Sequence, residues 1–240
     1  MNTLVVEERT DRVIVTLARV KQRNAIDAEM IGELHEVCGL VEQDPKIVVL
    51  TGEGEHFAGG ADINQLRART RDDALRGINR NLFDRFAALP LPTIAAVRGY
   101  ALGGGAELSY ACDIRIASPT AVFGNPEPGL GIMAAAGASY RLPTLVGVSV
   151  AKQVLLGGRT LDAEVALRSG LVLNVVDEPL AAAHALADRI AKQAPLALTL
   201  TKKILDAPGS HPWADDIAQA VLFETEDKQR RMTAFLEKKK

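Results

Sequence analysis

Two glutamates lie where a carboxyl group could carry out acid–base chemistry. Glu107 follows three glycines and an alanine and opens an apolar stretch, and Glu127 lies twenty residues later between two prolines. Two carboxyl groups around one water can divide proton transfer, with one accepting a proton and the other delivering one. Each residue also has a simpler interpretation, because an acid in the first turn of a helix complements the helix dipole and an acid beside prolines is often a solvated turn residue. Taken alone, the residue types leave both interpretations open.

The other reactive residue types form no recognised catalytic pattern. The glycine clusters match neither G-x-G-x-x-G nor G-x-x-x-x-G-K-[ST], so the sequence predicts no Rossmann-type dinucleotide site and no P-loop. The four histidines have no paired ligand spacing, and no G-x-S-x-G elbow occurs. We therefore predict no metal site. We expect the two cysteines, Cys38 and Cys112, to be small core residues.

Composition limits the class of protein. The chain has 240 residues, of which 48% are hydrophobic and 24% charged, as in ordinary globular proteins. A formal net charge of −2 argues against a dedicated nucleic-acid partner, and residues 238–240 supply only a short lysine tail. No apolar run approaches the roughly 20 residues needed to span a bilayer, and the N-terminus does not resemble a secretory signal. We expect a cytoplasmic protein without a membrane partner.

Short apolar runs alternate with a helical pattern. After Asp27, a candidate N-cap, apolar residues recur with a period near 3.6 until residues 44–45 (Asp-Pro) end the helix. Strands separated by helices predict an α/β fold. Residues 180–240 differ, because alanine, leucine, lysine and glutamate dominate there and prolines divide helix-length segments, which predicts an all-helical portion. The predicted buried strands are 13–17, 47–51, 94–97 and 171–176.

Three segments resemble the crotonase (enoyl-CoA hydratase/isomerase) superfamily. They are residues 57–63 (FAGGADI), 99–108 (GYALGGGAEL) and 123–127 (FGNPE). The spacing between Glu107 and Glu127 is similar to that in hydratases of the superfamily. Weaker matches occur in order along nearly the whole chain.

This resemblance implies a fold, an assembly and a substrate. The fold would be a crotonase spiral of ββα units over residues 1–179, followed by a helical trimerisation region over residues 180–240. The protein would be a homotrimer or homohexamer that hydrates 2-enoyl thioesters of coenzyme A, with no prosthetic group. Interface candidates in the helical region, which could equally be intrachain core, are Ile217, Val221, Leu222 and Phe223.

The resemblance also implies roles for individual residues. The backbone N–H groups of Ala61 and Gly104 would stabilise the enolate-like thioester oxygen. Glu107 would help to activate water, and Glu127 would act mainly as the acid or base at the α-carbon. The residues implied to contact coenzyme A are Lys21, Arg23, Ala25, Ala58, Asp62 and Ile63.

Two other functions remain open at this level. An isomerase of the same scaffold would use an acid at the Glu127 position as a proton shuttle, and a silent acyl-CoA-binding protein would need neither acid. The presence of both glutamates favours hydration. Candidates for the acyl pocket, which could equally be core, are Leu66, Leu82, Phe83 and Phe86. Positions where the chain departs from the family pattern are Val20, Asn64, Ala134 and Ala135.

Overall fold

The computed structural model describes residues 1–207, 209 and 211–237 and contains two sheets. The larger sheet has six strands in the order β1-β2-β3-β4-β6-β9, and the smaller one has three in the order β5-β7-β8. In the larger sheet β1 is antiparallel to β2, and all the other pairs are parallel. The strands are β1 (Leu4–Glu8), β2 (Arg12–Leu17), β3 (Ile47–Gly52), β4 (Thr93–Val97), β5 (Tyr100–Leu102), β6 (Ile114–Ala117), β7 (Val122–Gly124), β8 (Leu161–Asp162) and β9 (Asn174–Val175).

Helices follow most of the strands and continue to the end of the described chain. The helix α6 consists of two helical segments joined at Gly147. The helices are α1 (Ala28–Gln43), α2 (Ile63–Ala68), α3 (Arg71–Leu75), α4 (Ile78–Ala87), α5 (Gly104–Tyr110), α6 (Ala138–Leu155), α7 (Ala163–Arg168), α8 (Pro179–Ile190), α9 (Pro195–Asp206), α10 (Pro212–Phe223) and α11 (Glu226–Glu237).

The central strands are buried on both faces, which explains their uninterrupted apolar sequences. Val15 and Leu50 belong to the larger hydrophobic cluster, whereas the adjacent residues Ile14 and Val49 belong to a second cluster on the opposite face. The predicted strands at 13–17, 47–51 and 94–97 are confirmed. The prediction for residues 171–176 is wrong in its first half, because the N–H of Leu171 bonds to Ala166 in the turn that follows α7.

The first long helix begins where the sequence predicts. The side chain of Asp27 accepts a hydrogen bond from the backbone N–H of Met30 at 2.9 Å, which caps α1. Cys38 lies on the buried face of this helix, and Cys112 is buried near the end of α5. Burial raises the pKa of each thiol to about 12, so both cysteines behave as small apolar core residues.

The predicted helical C-terminal region is present as α8–α11. Ala183, Leu186 and Ala187 of α8 pack on the larger sheet in the second cluster. By contrast, Lys202 is the only buried residue recorded in the described parts of α9–α11. The boundary between residues 179 and 180 stays a prediction, and the lysine tail at 238–240 lies outside the described residues. Within the described ranges, every helix is too short or too polar to cross a bilayer.

The start of α5 packs against the segment that follows β3, and this contact requires a glycine. A Cβ atom on Gly105 would lie 2.4 Å from the carbonyl oxygen of Ala58 and 2.6 Å from its Cβ. We therefore expect Gly105→Ala to lower the free energy of unfolding by about 1–3 kcal/mol, as overpacked sites do. Urea unfolding measures this change.

Gly32→Ala in α1 is the matched control, because no heavy atom lies within 4 Å of its added methyl group. We expect that variant to be as stable as the wild type or up to about 1 kcal/mol more stable. Equal stabilities of the two variants would contradict the close packing of Gly105.

Candidate active site

One pocket of ≈ 490 Å³ contains all four residues predicted to be catalytic. Ala61 comes from the segment between β3 and α2, Gly104 and Glu107 come from α5, and Glu127 opens the 3-10 helix Glu127–Leu130. These segments are far apart in the sequence, and the fold brings them together beside the start of α5.

Two backbone N–H groups in this pocket have no hydrogen-bond partner among the described residues. Ile26 donates to the carbonyl of Gly60 at 2.8 Å and accepts from the N–H of Asp62 at 2.9 Å, so the segment is held on both sides of Ala61. Among the described residues, no carbonyl accepts from the N–H of Ala61. Gly104 is the first residue of α5, so its N–H has no partner within the helix. Both amides are therefore free to bind a ligand oxygen.

The two amides lie close together because of the backbone before α5. Gly103 has φ 51° and ψ −126°, a conformation that favours glycine, and its N–H donates to the carbonyl of Gly124 in β7 at 2.8 Å. A Cβ atom on Gly104 would lie 3.5 Å from the nitrogen of Ala61. The space in front of Gly104 is thus bordered by both N–H groups, as an oxyanion site requires.

Glu107 is buried and held by the start of α6. Its Oε1 accepts hydrogen bonds from the backbone N–H groups of Ala136 at 2.7 Å and Ala138 at 3.1 Å. The side chain is only 3% exposed, and burial raises its pKa from 4.5 to about 7, with a further contribution from the charge of Glu127. A carboxyl group with this pKa is present in both protonation states near neutral pH, as proton transfer requires.

The raised pKa of Glu107 predicts a pH-dependent effect on stability. Between pH 4.5 and 7 the carboxyl group ionises in the unfolded chain while it stays protonated in the folded one, so stability falls as the pH rises through this window. Glu107→Gln removes this loss and keeps an oxygen for Ala136 and Ala138. We expect the variant to gain up to about 3 kcal/mol relative to the wild type at pH 8 and nothing at pH 4.

Urea unfolding at the two pH values measures this difference. Glu36→Gln, on the exposed face of α1, is the control and is expected to change stability equally at both. A difference between Glu107→Gln and the wild type that stays constant with pH would contradict the assignment.

Glu127 is the second buried acid of the pocket. It is 8% exposed, and its Oε2 has no hydrogen-bond partner among the described residues. Burial raises the pKa of this carboxyl group. Its Oε1 lies 3.1 Å from the position of a Cβ atom on Gly103, so glycine there leaves room for the carboxylate. An unpaired, buried carboxyl oxygen beside a pocket is available to a ligand.

A second cleft of ≈ 240 Å³ adjoins the pocket at Ala61 and contains four of the residues implied to contact coenzyme A. Arg23, Ala25 and Ile63 line it. Asp62 also lines it, but its carboxylate caps α2 through the N–H of Asn64 at 3.1 Å and pairs with Arg19 at 3.4 Å. The Asp62 side chain therefore stabilises the start of α2.

The other two residues implied to contact coenzyme A lie outside this cleft. Lys21 borders a neighbouring groove together with Val20 and Gln22, and Gln22 also lines the cleft. Ala58 is fully buried. Its N–H bonds to Tyr100 at 2.9 Å and its carbonyl accepts from Leu102 at 3.0 Å, so β5 occupies both of its backbone groups.

Comparisons with known proteins identify the family of the chain. Residues 8–240 match the family described as enoyl-CoA hydratase/isomerase. The chain belongs to this family. A short-chain-enoyl-CoA hydratase of Clostridium acetobutylicum is 39% identical, over 100% of this chain and 97% of that protein. A crotonyl-CoA hydratase of Syntrophomonas wolfei is 36% identical, over 99% and 96%. A crystal structure of an enoyl-CoA hydratase from Bacillus anthracis matches with a TM-score of 0.93 at 32% identity, over 98% of this chain and 96% of that one.

The departures from the family pattern lie around these two cavities. Asn64 lines the smaller cleft, where the family often has a lysine. Ala135 lines the larger pocket, and Ala134 beside it is buried. Val20 is 47% exposed and borders the neighbouring groove with Lys21.

The candidates for the acyl pocket of a family member divide into two groups. Leu66 of α2 lines the larger pocket, together with Ile132 and Met133 from the segment before α6. In contrast, the other three candidates are fully buried in the large hydrophobic cluster and are core residues. They are Leu82, Phe83 and Phe86.

Sequence reasoning missed two polar residues of the pocket. Asn79 lies in the first turn of α4 and is 8% exposed, and Arg69 at the end of α2 donates to its side-chain oxygen at 2.8 Å. Neither residue belongs to a family motif, and polar residues near helix ends are common, so the sequence carries no signal for them. The backbone donors of Ala136 and Ala138 were also missed, because any residue type can supply an N–H group.

Proposed function

We propose that this chain hydrates 2-enoyl thioesters of coenzyme A. The observation that carries the proposal is the presence of two buried acids, Glu107 and Glu127, in one pocket with two unpaired backbone N–H groups. Burial raises the pKa of both acids, and the pKa of about 7 suits Glu107 to exchange protons near neutral pH. The names of the relatives described above, which include hydratases of short-chain and crotonyl thioesters, also support it.

The thioester group is placed at the junction of the two cavities. Ala61 borders both of them, so a substrate that extends from one into the other passes its N–H. The coenzyme A portion occupies the cleft near Arg23, and the acyl chain enters the pocket near Leu66. The thioester oxygen then accepts hydrogen bonds from Ala61 and Gly104.

Addition of water creates negative charge on that oxygen. Attack on the β-carbon moves electrons through the double bond to the thioester oxygen, and preorganised N–H groups stabilise the resulting enolate. Backbone amides suit this task because they carry no charge that must be desolvated. The amide of Gly104 also lies at the N-terminus of a helix, where the dipole favours negative charge.

The two glutamates transfer the protons. Oε1 of Glu107 accepts hydrogen bonds from the backbone N–H groups of Ala136 and Ala138, whereas Oε2 has no hydrogen-bond partner among the described residues. Oε2 accepts a proton from the attacking water. Glu127 delivers a proton to the α-carbon through its unpaired oxygen. Water adds across the double bond, and the total protonation of the pair does not change, because one acid gains a proton as the other loses one. Proton exchange then restores the starting distribution of the proton between the two acids.

The loss of the conjugated thioester absorbance of crotonyl-CoA tests the proposal. Purified protein should consume this substrate and form 3-hydroxybutyryl-CoA, which mass spectrometry identifies. Inertness toward crotonyl-CoA combined with conversion of a 3-enoyl-CoA would overturn hydration in favour of isomerisation. Inertness toward both, with tight binding of butyryl-CoA, would leave an acyl-CoA-binding protein.

Assembly into a trimer or hexamer is part of the same proposal. Its support is the large apolar side chains that α10 and α11 expose, since helices that bury so little of their own surface need another partner. Of the predicted interface candidates, Ile217, Val221 and Phe223 are exposed, and Leu222 is partly buried.

A further inference from the structure

Asn79 contributes a side-chain amide to the substrate pocket. The residue is 8% exposed, and it lines the pocket from the first turn of α4. Among the described residues, the hydrogen bond made with this side chain is at its Oδ1, and none involves its Nδ2. Because Asn79 lines the pocket, this donor is available to a ligand there.

Arg69 fixes the orientation of the Asn79 amide. Nη1 of Arg69 lies 2.8 Å from Oδ1 of Asn79. A guanidinium group can only donate hydrogen bonds, so the atom that faces it must be the amide oxygen, and the NH₂ group must point away from Arg69. The guanidinium has no carboxylate within salt-bridge distance among the described residues, so its charge also polarises the amide and strengthens Nδ2 as a donor.

The nitrogen of this NH₂ group lies near the two backbone amides. The position of a Cβ atom on Gly104 lies 3.9 Å from Nδ2 of Asn79 and 3.5 Å from the nitrogen of Ala61. The amide nitrogen of Gly104 itself is two covalent bonds from that position. Three nitrogens that carry N–H groups, from three separate segments, therefore lie within 4 Å of one point in the pocket.

We propose that Asn79 is a third hydrogen-bond donor to the thioester oxygen and that Arg69 is its positioning residue. The inference rests on the proposed acyl-CoA site and adds a side-chain donor to the two backbone amides. Unlike a backbone N–H, this donor can be removed by ordinary substitution. It also makes the strength of the oxyanion site depend on a charge outside it, that of Arg69.

Binding of two saturated ligands tests the role of Asn79 without turnover. Butyryl-CoA has the thioester oxygen, whereas S-butyl-CoA, a thioether, lacks it and is otherwise alike. We expect Asn79→Leu to weaken the binding of butyryl-CoA about tenfold, the effect of one lost hydrogen bond, and to leave the binding of S-butyl-CoA unchanged. Calorimetry measures both dissociation constants.

Asn79→Asp guards against misfolding, because it keeps the shape of the side chain and an oxygen for Arg69 but removes the donor. It should show the same selective loss. Equal weakening of both ligands would make Asn79 a pocket-shaping residue, and no change in either would leave it without a role, so both results would overturn the inference. Failure of the wild type to bind either ligand would instead overturn the proposed function.

The Arg69→Met variant tests the positioning role. We expect it to weaken butyryl-CoA binding several-fold when Asn79 is present and to have no further effect in the Asn79→Leu background, because coupled residues are not additive. Arg67→Met, on the exposed side of α2, is the matched control and should bind both ligands like the wild type. Equal effects of Arg69→Met in the two backgrounds would contradict positioning through Asn79.

Discussion

Glu127→Gln is expected to slow the hydration of crotonyl-CoA by about 10²–10⁴-fold. Glutamine keeps the size of the side chain and an oxygen atom, but it cannot deliver a proton to the α-carbon. The carboxyl group is buried and its Oε2 has no hydrogen-bond partner in the described chain, so this oxygen is the one available for the transfer. The initial rate of absorbance loss measures the effect.

Two companion variants make this result specific. Glu107→Gln should also be strongly impaired if the two acids share the work, whereas an isomerase would need only Glu127. Glu36→Gln, an exposed change of the same type on α1, should retain the wild-type rate. A Glu127→Gln enzyme with nearly full activity would remove the α-carbon role from this residue.

Gly104→Val is expected to lower kcat/KM by about 10²–10³-fold through the oxyanion site. The added Cβ would meet the nitrogen of Ala61 at 3.5 Å, an ordinary contact. The same atom would fill the space that the thioester oxygen must enter. The variant should therefore fold but fail to stabilise the enolate.

Stability and activity must be measured together for this variant. Its unfolding midpoint should stay near that of Gly32→Val, a change of the same size in α1 at a position with free space. Gly105, the next residue along α5, behaves differently, because a methyl group there collides with Ala58. Near-full activity of Gly104→Val would exclude its amide from the site.

Some of the elements that position the site could be predicted from the sequence. These are the elements whose structure follows from the burial of apolar residues or from a single helix cap. The runs at 47–51 and 94–97 are apolar on both faces and form central strands, and Asp27 caps α1 because its short carboxylate reaches the free N–H groups of the first turn. The first half of the run at 171–176 does not form a strand, because apolar residues also fill a turn when they pack beneath it. Leu171 is fully buried without belonging to a strand.

The candidate site could be predicted only in part. Glu107 and Glu127 are in recognisable motifs, and the fold brings both into one pocket with Ala61 and Gly104. Periodicity could not separate Leu66, which lines the pocket, from Phe83, which lies in the core, because both lie on apolar faces of helices. Asn79 and Arg69 could not be found, since their role depends on how α2 and α4 approach each other.

The location of Ala61 on the border between the two cavities has a consequence for the evolution of selectivity. If the amide of Ala61 fixes the position of the thioester, then the position of the reacting carbons is set by the coenzyme A end of the substrate and not by the end of the acyl chain. Mutations around Leu66, Ile132 and Met133 can then lengthen or shorten the acceptable tail without moving the bond that reacts. Selection can then change the preferred length of the acyl chain while it keeps the reaction, because different segments of the protein determine the two properties.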